Sequence, residues 1–317
     1  MPIRLATRAP FHLEATVRVL QRRPTNRVDV WEGGCYRRVI GTTDGPLLAE
    51  VVDRGTVAAP DLRCTLHGAR SAAARRTAVG TLRRVLGLDL DPRVLRRVAE
   101  REPAMQATAR ALRGLRPPRF TGLFEAFASV VPYQQVSIDA GIAVLGRTIE
   151  RFGEVVVHDG ARHFAFPAPA VIARASPRAL RACGLSTQKA RTLQMLARVI
   201  ESGALDEREL EALPSAEAGA RLVALRGVGP WTAGLVLLRG LGRLDVFPPG
   251  DVGAARGLRE LLGTTSAREV AATIERFGPL RGYLYFCALG GRLLARGLIN
   301  PSRRRTKPVV KIRTYPR

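Results

Sequence analysis

The sequence predicts an α+β protein, with an N-terminal antiparallel β-sheet and its helices followed by an all-α body. Three observations carry this reading. Residues 27–68 alternate in strand fashion between turn signals, nearly every segment from Pro92 onward has helical periodicity, and Arg116-Pro117-Pro118-Arg119 marks a linker between the two patterns. The chain therefore divides into a mixed β/α domain over 1–112, a helical domain over 113–300 and a basic tail over 301–317. At 317 residues and 46% hydrophobic content it can bury a full core.

Taken in order, Phe11 to Leu20 reads as a short helix. RVDVWEG, CYRRVIGTT, PLLAEVVD and DLRCTLHG then alternate around Gly33-Gly34 and Asp44-Gly45, predicting a four-stranded antiparallel sheet. A helix from Ser71 to Leu86 repeats Val79, Leu82, Val85 and Leu86 at helical spacing and is expected to cover that sheet. In the body, helices are expected over 120–131, 133–152, 186–202, 214–224, 230–240, 252–262, 266–276 and 279–296, with HFAFPAP as a loop.

The stretch Leu225 to Asp251, LRGVGPWTAGLVLLRGLGRLDVFPPGD, is the most informative. Gly227 and Gly229 permit positive φ and leave backbone amides uncovered, and Pro230 suits a first helical turn. Such amides can face a phosphate, or share a cation with one, at the positive end of the following helix. An ordinary helix–helix turn would look the same in isolation.

A net charge of +24 fits a polyanionic partner, nucleic acid first among them, although an arginine excess also follows from GC-rich coding. Cys35, Cys64, Cys183 and Cys287 are widely spaced with no CxxC pair, which argues against a zinc site or an iron–sulfur cluster of four close cysteines. Neither a membrane span nor a signal peptide is evident, so a soluble, cytoplasmic protein is expected. The end, NPSRRRTKPVVKIRTYPR, carries seven Lys/Arg after Ser302 and reads as a mobile tail, solvated or lying along DNA.

The hairpin, its Gly/Pro-rich loop and the aspartate resemble the signature of the helix-hairpin-helix (HhH-GPD) DNA glycosylase superfamily. FTGLFEAFASVVPYQQVSIDAG from Phe120 is similar to that family's helix pair, and LRACGLSTQKARTL from Leu180, with Lys189, to its G-L-S-x-x-K-A element. The resemblance covers most of residues 112–297 and is greatest to the alkylated-base branch, the 3-methyladenine DNA glycosylase II type, which also places a mixed β/α domain first.

The resemblance implies a monofunctional glycosylase that flips damaged purines out of double-stranded DNA, working as a monomer without an organic cofactor. Asp251 is the implied catalytic carboxylate, and it equally occupies a helix N-cap position. DNA contacts are implied for Gln134, Gln135, Lys189, Leu225, Gly227, Val228 and Gly229, with Gln135 as the intercalating side chain. Polar contacts within the protein are the alternative for both glutamines. Carbonyls of Leu225 and Val228 would hold a sodium or potassium ion. Trp231, Leu235, Tyr283 and Leu289 are expected at the base pocket, with Tyr285 on the same last helix; leucines stand where relatives stack the base on aromatics. Trp231 could instead be core. Arg239 and Arg243 are expected to reach solvent or phosphate.

Lysine is scarce: only Lys189, Lys307 and Lys311 occur among 51 basic residues. Strand-cutting relatives use an amine as nucleophile, and their lysine position is taken here by Trp231. A bifunctional glycosylase/lyase using Pro2 or a tail lysine, and a non-catalytic DNA-damage-binding protein on the same scaffold, are the alternative readings.

Overall fold

A computed structural model describes residues 2–300. The basic tail, with Lys307 and Lys311, lies outside the described residues.

The N-terminal part is an antiparallel sheet of five strands, β1 (Ile3–Leu5), β2 (Val30–Glu32), β3 (Cys35–Thr42), β4 (Gly45–Asp53) and β5 (Leu62–His67), in the order β1-β5-β4-β3-β2. Four strands match the alternating segments. The additional one is β1, whose three residues pair Ile3 with Cys64 and Leu5 with Leu62; so short a run carries no readable alternation. Tyr36, Ile40, Leu47, Ala49, Val51 and Cys64 form one buried face, covered by α1 (Leu13–Gln21) and α2 (Ala72–Val85) through Leu13, Val17, Ala78 and Leu82. The other face, with Val39 and Leu48, packs against Val156 and Ala165 of the helical part.

Helix α1 is buried on both sides. Leu13, Val17 and Leu20 enter the sheet core, while Ala15 and Val19 enter the core of the body. Its end therefore delivers Arg22 into the space between the two parts, at φ 61°. A second tie is the buried Arg38 guanidinium on β3, which donates to Asp29 at 2.6 Å and to Glu125 of the body at 2.5 Å.

The next helices, α3 (Val94–Arg101) and α4 (Gln106–Ala111), fall inside the 1–112 span expected for the mixed β/α domain. They share a core with α13 (Val252–Leu262), α14 (Ala267–Phe277) and α15 (Arg281–Ala295). A separate core is built from α5 (Leu123–Ala128), α7 (Pro169–Arg174), α8 (Pro177–Ala182), α9 (Thr187–Glu201), α10 (Glu207–Ala212), α11 (Ser215–Val223) and α12 (Pro230–Leu235). Alongside it runs α6 (Ile138–Phe152). The seam between these two cores forms the main cleft.

Three local departures from the expected elements stand out. The helix expected from 133 begins only at Ile138, because Ser137 caps it by accepting the Ala140 N–H and Pro132 sits in a 3-10 turn over Val131–Tyr133; Gln134 to Val136 are thus left outside any helix. The expected 230–240 helix widens after Leu235 into a π-helical turn over Val236–Gly240. HFAFPAP is not wholly loop: β6 (Val155–His158) and β7 (Ala161–Phe164) form a hairpin around Asp159-Gly160, both at positive φ, a two-residue Asp-Gly turn that the sequence reading passed over. Among the described residues no helix is long and apolar enough to cross a membrane.

Candidate active site

The hairpin between α11 and α12 is closed by the Val228 N–H donating to the Leu225 carbonyl at 3.0 Å. Its two glycines serve different needs. Gly227 has φ +84°, and a Cβ there would lie 2.3 Å from Thr192 Oγ1, so both conformation and space demand glycine. Gly229, expected to need the same freedom, has φ −92°, and a Cβ on it would meet nothing. Its small size instead leaves the surface beside Pro230 bare. Leu225 turns its side chain into the neighbouring core and Val228 is buried, so their backbone is what they offer at the surface.

A cleft of about 790 Å³ opens beside this turn. It gathers Gln134 and Gln135, Lys189, Gly227 to Trp231, Asp251, Tyr285 and Leu289, residues spread over more than 150 positions of sequence, together with Arg22 and Arg292.

Asp251 is half-buried and does two things at once. Its Oδ1 accepts the Ala254 N–H at 2.7 Å, capping α13, and its Oδ2 accepts the indole Nε1–H of Trp231 at 3.0 Å. The cap is real, but the carboxylate is not spent on it, because the second oxygen is held toward the cleft by a residue of the hairpin helix. Asp245, the other nearby acid, is exposed and does not line the cleft.

Gln134 donates from Nε2 to the Gly227 carbonyl at 3.1 Å and to Thr232 Oγ1 at 3.0 Å, binding the helix-pair junction to the hairpin. Its contacts are therefore internal. Gln135 is exposed, with φ 57°, a left-handed backbone that a non-glycine residue rarely adopts. Lys189 donates from Nζ to the carbonyls of Pro132 at 3.1 Å and Gln134 at 2.7 Å, which shapes the turn that presents Gln135. Burial lowers its pKa.

Two expected pocket residues are corrected. Leu235 is 2% exposed and Tyr283 4% exposed; both pack in the core, and neither lines the cleft. On α15 the cleft face carries Tyr285, Leu289 and Arg292, at helical spacing, and a residue two positions before Tyr285 points to the opposite side. An aromatic wall is thus present after all, formed by Tyr285 and Trp231. Arg239 and Arg243 are also corrected: Arg239 is 1% exposed with its guanidinium 4.6 Å from the Phe120 ring centroid, and Arg243 donates to the carbonyls of Glu211 and Leu213.

Arg22 escaped the sequence reading. Its Nη2 donates to the Tyr285 hydroxyl, and although burial alone would lower its pKa, the Tyr285 and Tyr133 hydroxyls and the Asp251 carboxylate raise it. No motif could have singled it out among so many arginines; only the burial of α1 on two sides brings it here.

Comparison with known proteins agrees with this geometry. Residues 128–279 match the HhH-GPD superfamily base excision DNA repair protein family, and residues 2–121 the AlkA N-terminal domain. The chain is 31% identical to a DNA-3-methyladenine glycosylase of Bacillus subtilis over 174 residues, 55% of this chain and 57% of that protein. It is 30% identical to DNA-3-methyladenine glycosylase 2 of Escherichia coli over 237 residues, 73% of this chain and 79% of that one. The 3-methyladenine DNA-glycosylase structure from Archaeoglobus fulgidus superposes with a TM-score of 0.75 at 27% identity, covering 93% of this chain and 99% of its own. The chain spans a little over half the length of several curated relatives it matches. By sequence and by fold the chain belongs to the HhH-GPD superfamily of base excision DNA repair proteins, with an AlkA-type N-terminal domain.

Proposed function

We propose that this protein is a monofunctional DNA glycosylase that flips alkylated or otherwise damaged purines out of duplex DNA and hydrolyses their glycosidic bond. The observation that carries the reading is the Asp251 carboxylate, fixed by Trp231 and Ala254 at the cleft wall beside the hairpin.

A base cannot be reached inside the stack, so the nucleotide must rotate out, at a cost of roughly a few kcal/mol. In this reading the hairpin amides and the cationic surface grip the phosphates, and Gln135, projected by its left-handed backbone, fills the space left behind. The displaced base enters between Trp231, Tyr285 and Leu289. The C1′–N bond then breaks with its electron pair going to the base, leaving an oxocarbenium-like sugar that the Asp251 anion stabilises. Water adds at C1′ and releases a proton, giving an abasic site and free base. A cationic N-alkylated purine leaves without prior protonation, which suits a cleft lined, among the described residues, by a single carboxylate, Asp251.

In this reading the protein acts as a monomer. In the same reading a sodium or potassium ion binds the Leu225 and Val228 carbonyls. Oxygen donors of this kind suit it, and the Leu225 oxygen keeps a second lone pair after accepting the Val228 N–H. The ion would help neutralise a phosphate.

One observation bears on the lyase alternative: Lys189 is an amine at the cleft. Its two bonds to carbonyls give it a positioning task instead. Both questions are settled by incubating duplexes that contain methylated, deaminated and oxidised bases with the wild type and Asp251→Asn, then cleaving abasic sites with alkali. Wild type should release methylated purines, with Asp251→Asn slower by roughly 10²–10³-fold. Equal rates would remove Asp251 from the mechanism, and a borohydride-trapped adduct lost in Lys189→Met would establish the lyase.

A further inference from the structure

Three of the protein's four histidines meet far from the cleft, between the N-terminal sheet and the β6–β7 hairpin. The pairings explain why. Glu50 on β4 lies opposite Thr65 and Arg37, and His67 follows Thr65 by two residues, so Glu50 and His67 share the sheet face that carries Val39 and Leu48. The hairpin docks on that face through Val156 and Ala165. His158, two residues after Val156, and His163, paired with Val156, are on the docking side of the hairpin.

The resulting contacts are close. The His67 and His158 rings are 4.0 Å apart between centroids, His67 Nε2 lies 2.9 Å from Glu50 Oε2, and one ligand-type atom from each of Glu50, His67 and His158 falls within 4.8 Å of the others. We propose that Glu50, His67 and His158 form a binding site for a divalent transition-metal ion of the zinc class, which clamps the β6–β7 hairpin onto the sheet.

The donor chemistry narrows the ion. Two imidazoles and a carboxylate are a set that zinc and its neighbours accept, whereas magnesium and calcium require oxygen ligands. Bonds of roughly 2.0–2.2 Å place tetrahedral ligands about 3.5 Å apart, so the His67–Glu50 pair at 2.9 Å must open by about half an ångström and a pair near the 4.8 Å limit must close by just over one. The supporting contact is also present: Arg37 Nε donates to Glu50 Oε1 at 2.7 Å, fixing the carboxylate so that its other oxygen faces the histidines. Side-chain exposures of 20% for Glu50, 30% for His67 and 25% for His158 leave a fourth position open to water. Two ligands stand on adjacent strands and the third comes from a hairpin some 90 residues further along, so a bound ion would favour the folded state.

The test uses the untagged full-length protein, stripped with a chelator and titrated with Co²⁺, then with Zn²⁺. One equivalent of Co²⁺ should develop a visible d–d band that Zn²⁺ abolishes. A hundredfold excess of Zn²⁺ over its Kd should raise the melting midpoint by on the order of 5 °C. Both responses should vanish in His158→Ala and in Glu50→Gln and persist in His12→Asn, whose site lies elsewhere. If His158→Ala does not fold, His158→Gln supplies the same comparison. Absence of the band in the wild type, or the same band and midpoint rise in the folded His158 variant, would overturn the site and leave an ordinary hydrogen-bonded seam.

Discussion

Trp231 donates its indole N–H to the Asp251 carboxylate at 3.0 Å, so the first turn of the helix that follows the hairpin orients the aspartate. Trp231→Phe keeps the ring and removes the donor. Its expected effect is a drop of about tenfold in single-turnover base release, equivalent to roughly 1.4 kcal/mol, with DNA affinity unchanged. Single-turnover rates beside a binding titration separate the two quantities, and an unaltered rate would show that the helix cap alone orients Asp251.

The two hairpin glycines should respond unequally to alanine. Gly227→Ala combines a left-handed backbone with a clash against Thr192 and should cost about 2–4 kcal/mol, read by denaturant unfolding. Gly229→Ala should leave stability within about 0.5 kcal/mol, because its backbone and surroundings accept a methyl group. A fall in affinity for duplex DNA in Gly229→Ala would then report a strand lying on that surface, and undiminished affinity would place the strand elsewhere.

Gln135 should separate flipping from folding. Gln135→Gly relieves the positive φ while adding chain entropy, so the net stability change should stay within about 1 kcal/mol. Loss of the side chain should nevertheless slow flipping by about tenfold or more, followed with a fluorescent base analogue beside the lesion. Normal flipping kinetics in this variant would deny Gln135 the role of wedge.

His12 should shape the acid limb of stability. Burial lowers its pKa from 6.5 to about 4, and its Nδ1 accepts the Ala15 N–H as the cap of α1. A folded-state pKa below the unfolded value means that the unfolded chain takes up the proton first as pH falls. The neutral form's contribution is therefore complete above about pH 6.5 and is lost between there and about pH 4, up to about 3 kcal/mol. His12→Asn, which can still cap the helix, should flatten that part of the profile in pH-dependent unfolding; an unchanged slope would place the titrating group elsewhere.

Local sequence was enough for the parts whose physics is local. Strand alternation around Asp44-Gly45, the glycine turn before Pro230 and an aspartate opening a helix each impose their conformation on neighbouring residues, so the sheet, the hairpin and the dual position of Asp251 were legible. Only tertiary structure decided which side chains face the cleft. Helical phase on α15 turns Tyr285 inward and Tyr283 away, packing of α1 on both sides carries Arg22 into the site, and docking of the β6–β7 hairpin brings His158 to Glu50 and His67. These outcomes depend on contacts between segments far apart in the chain, whose relative placement is fixed by burial of their shared apolar faces rather than by any short-range preference.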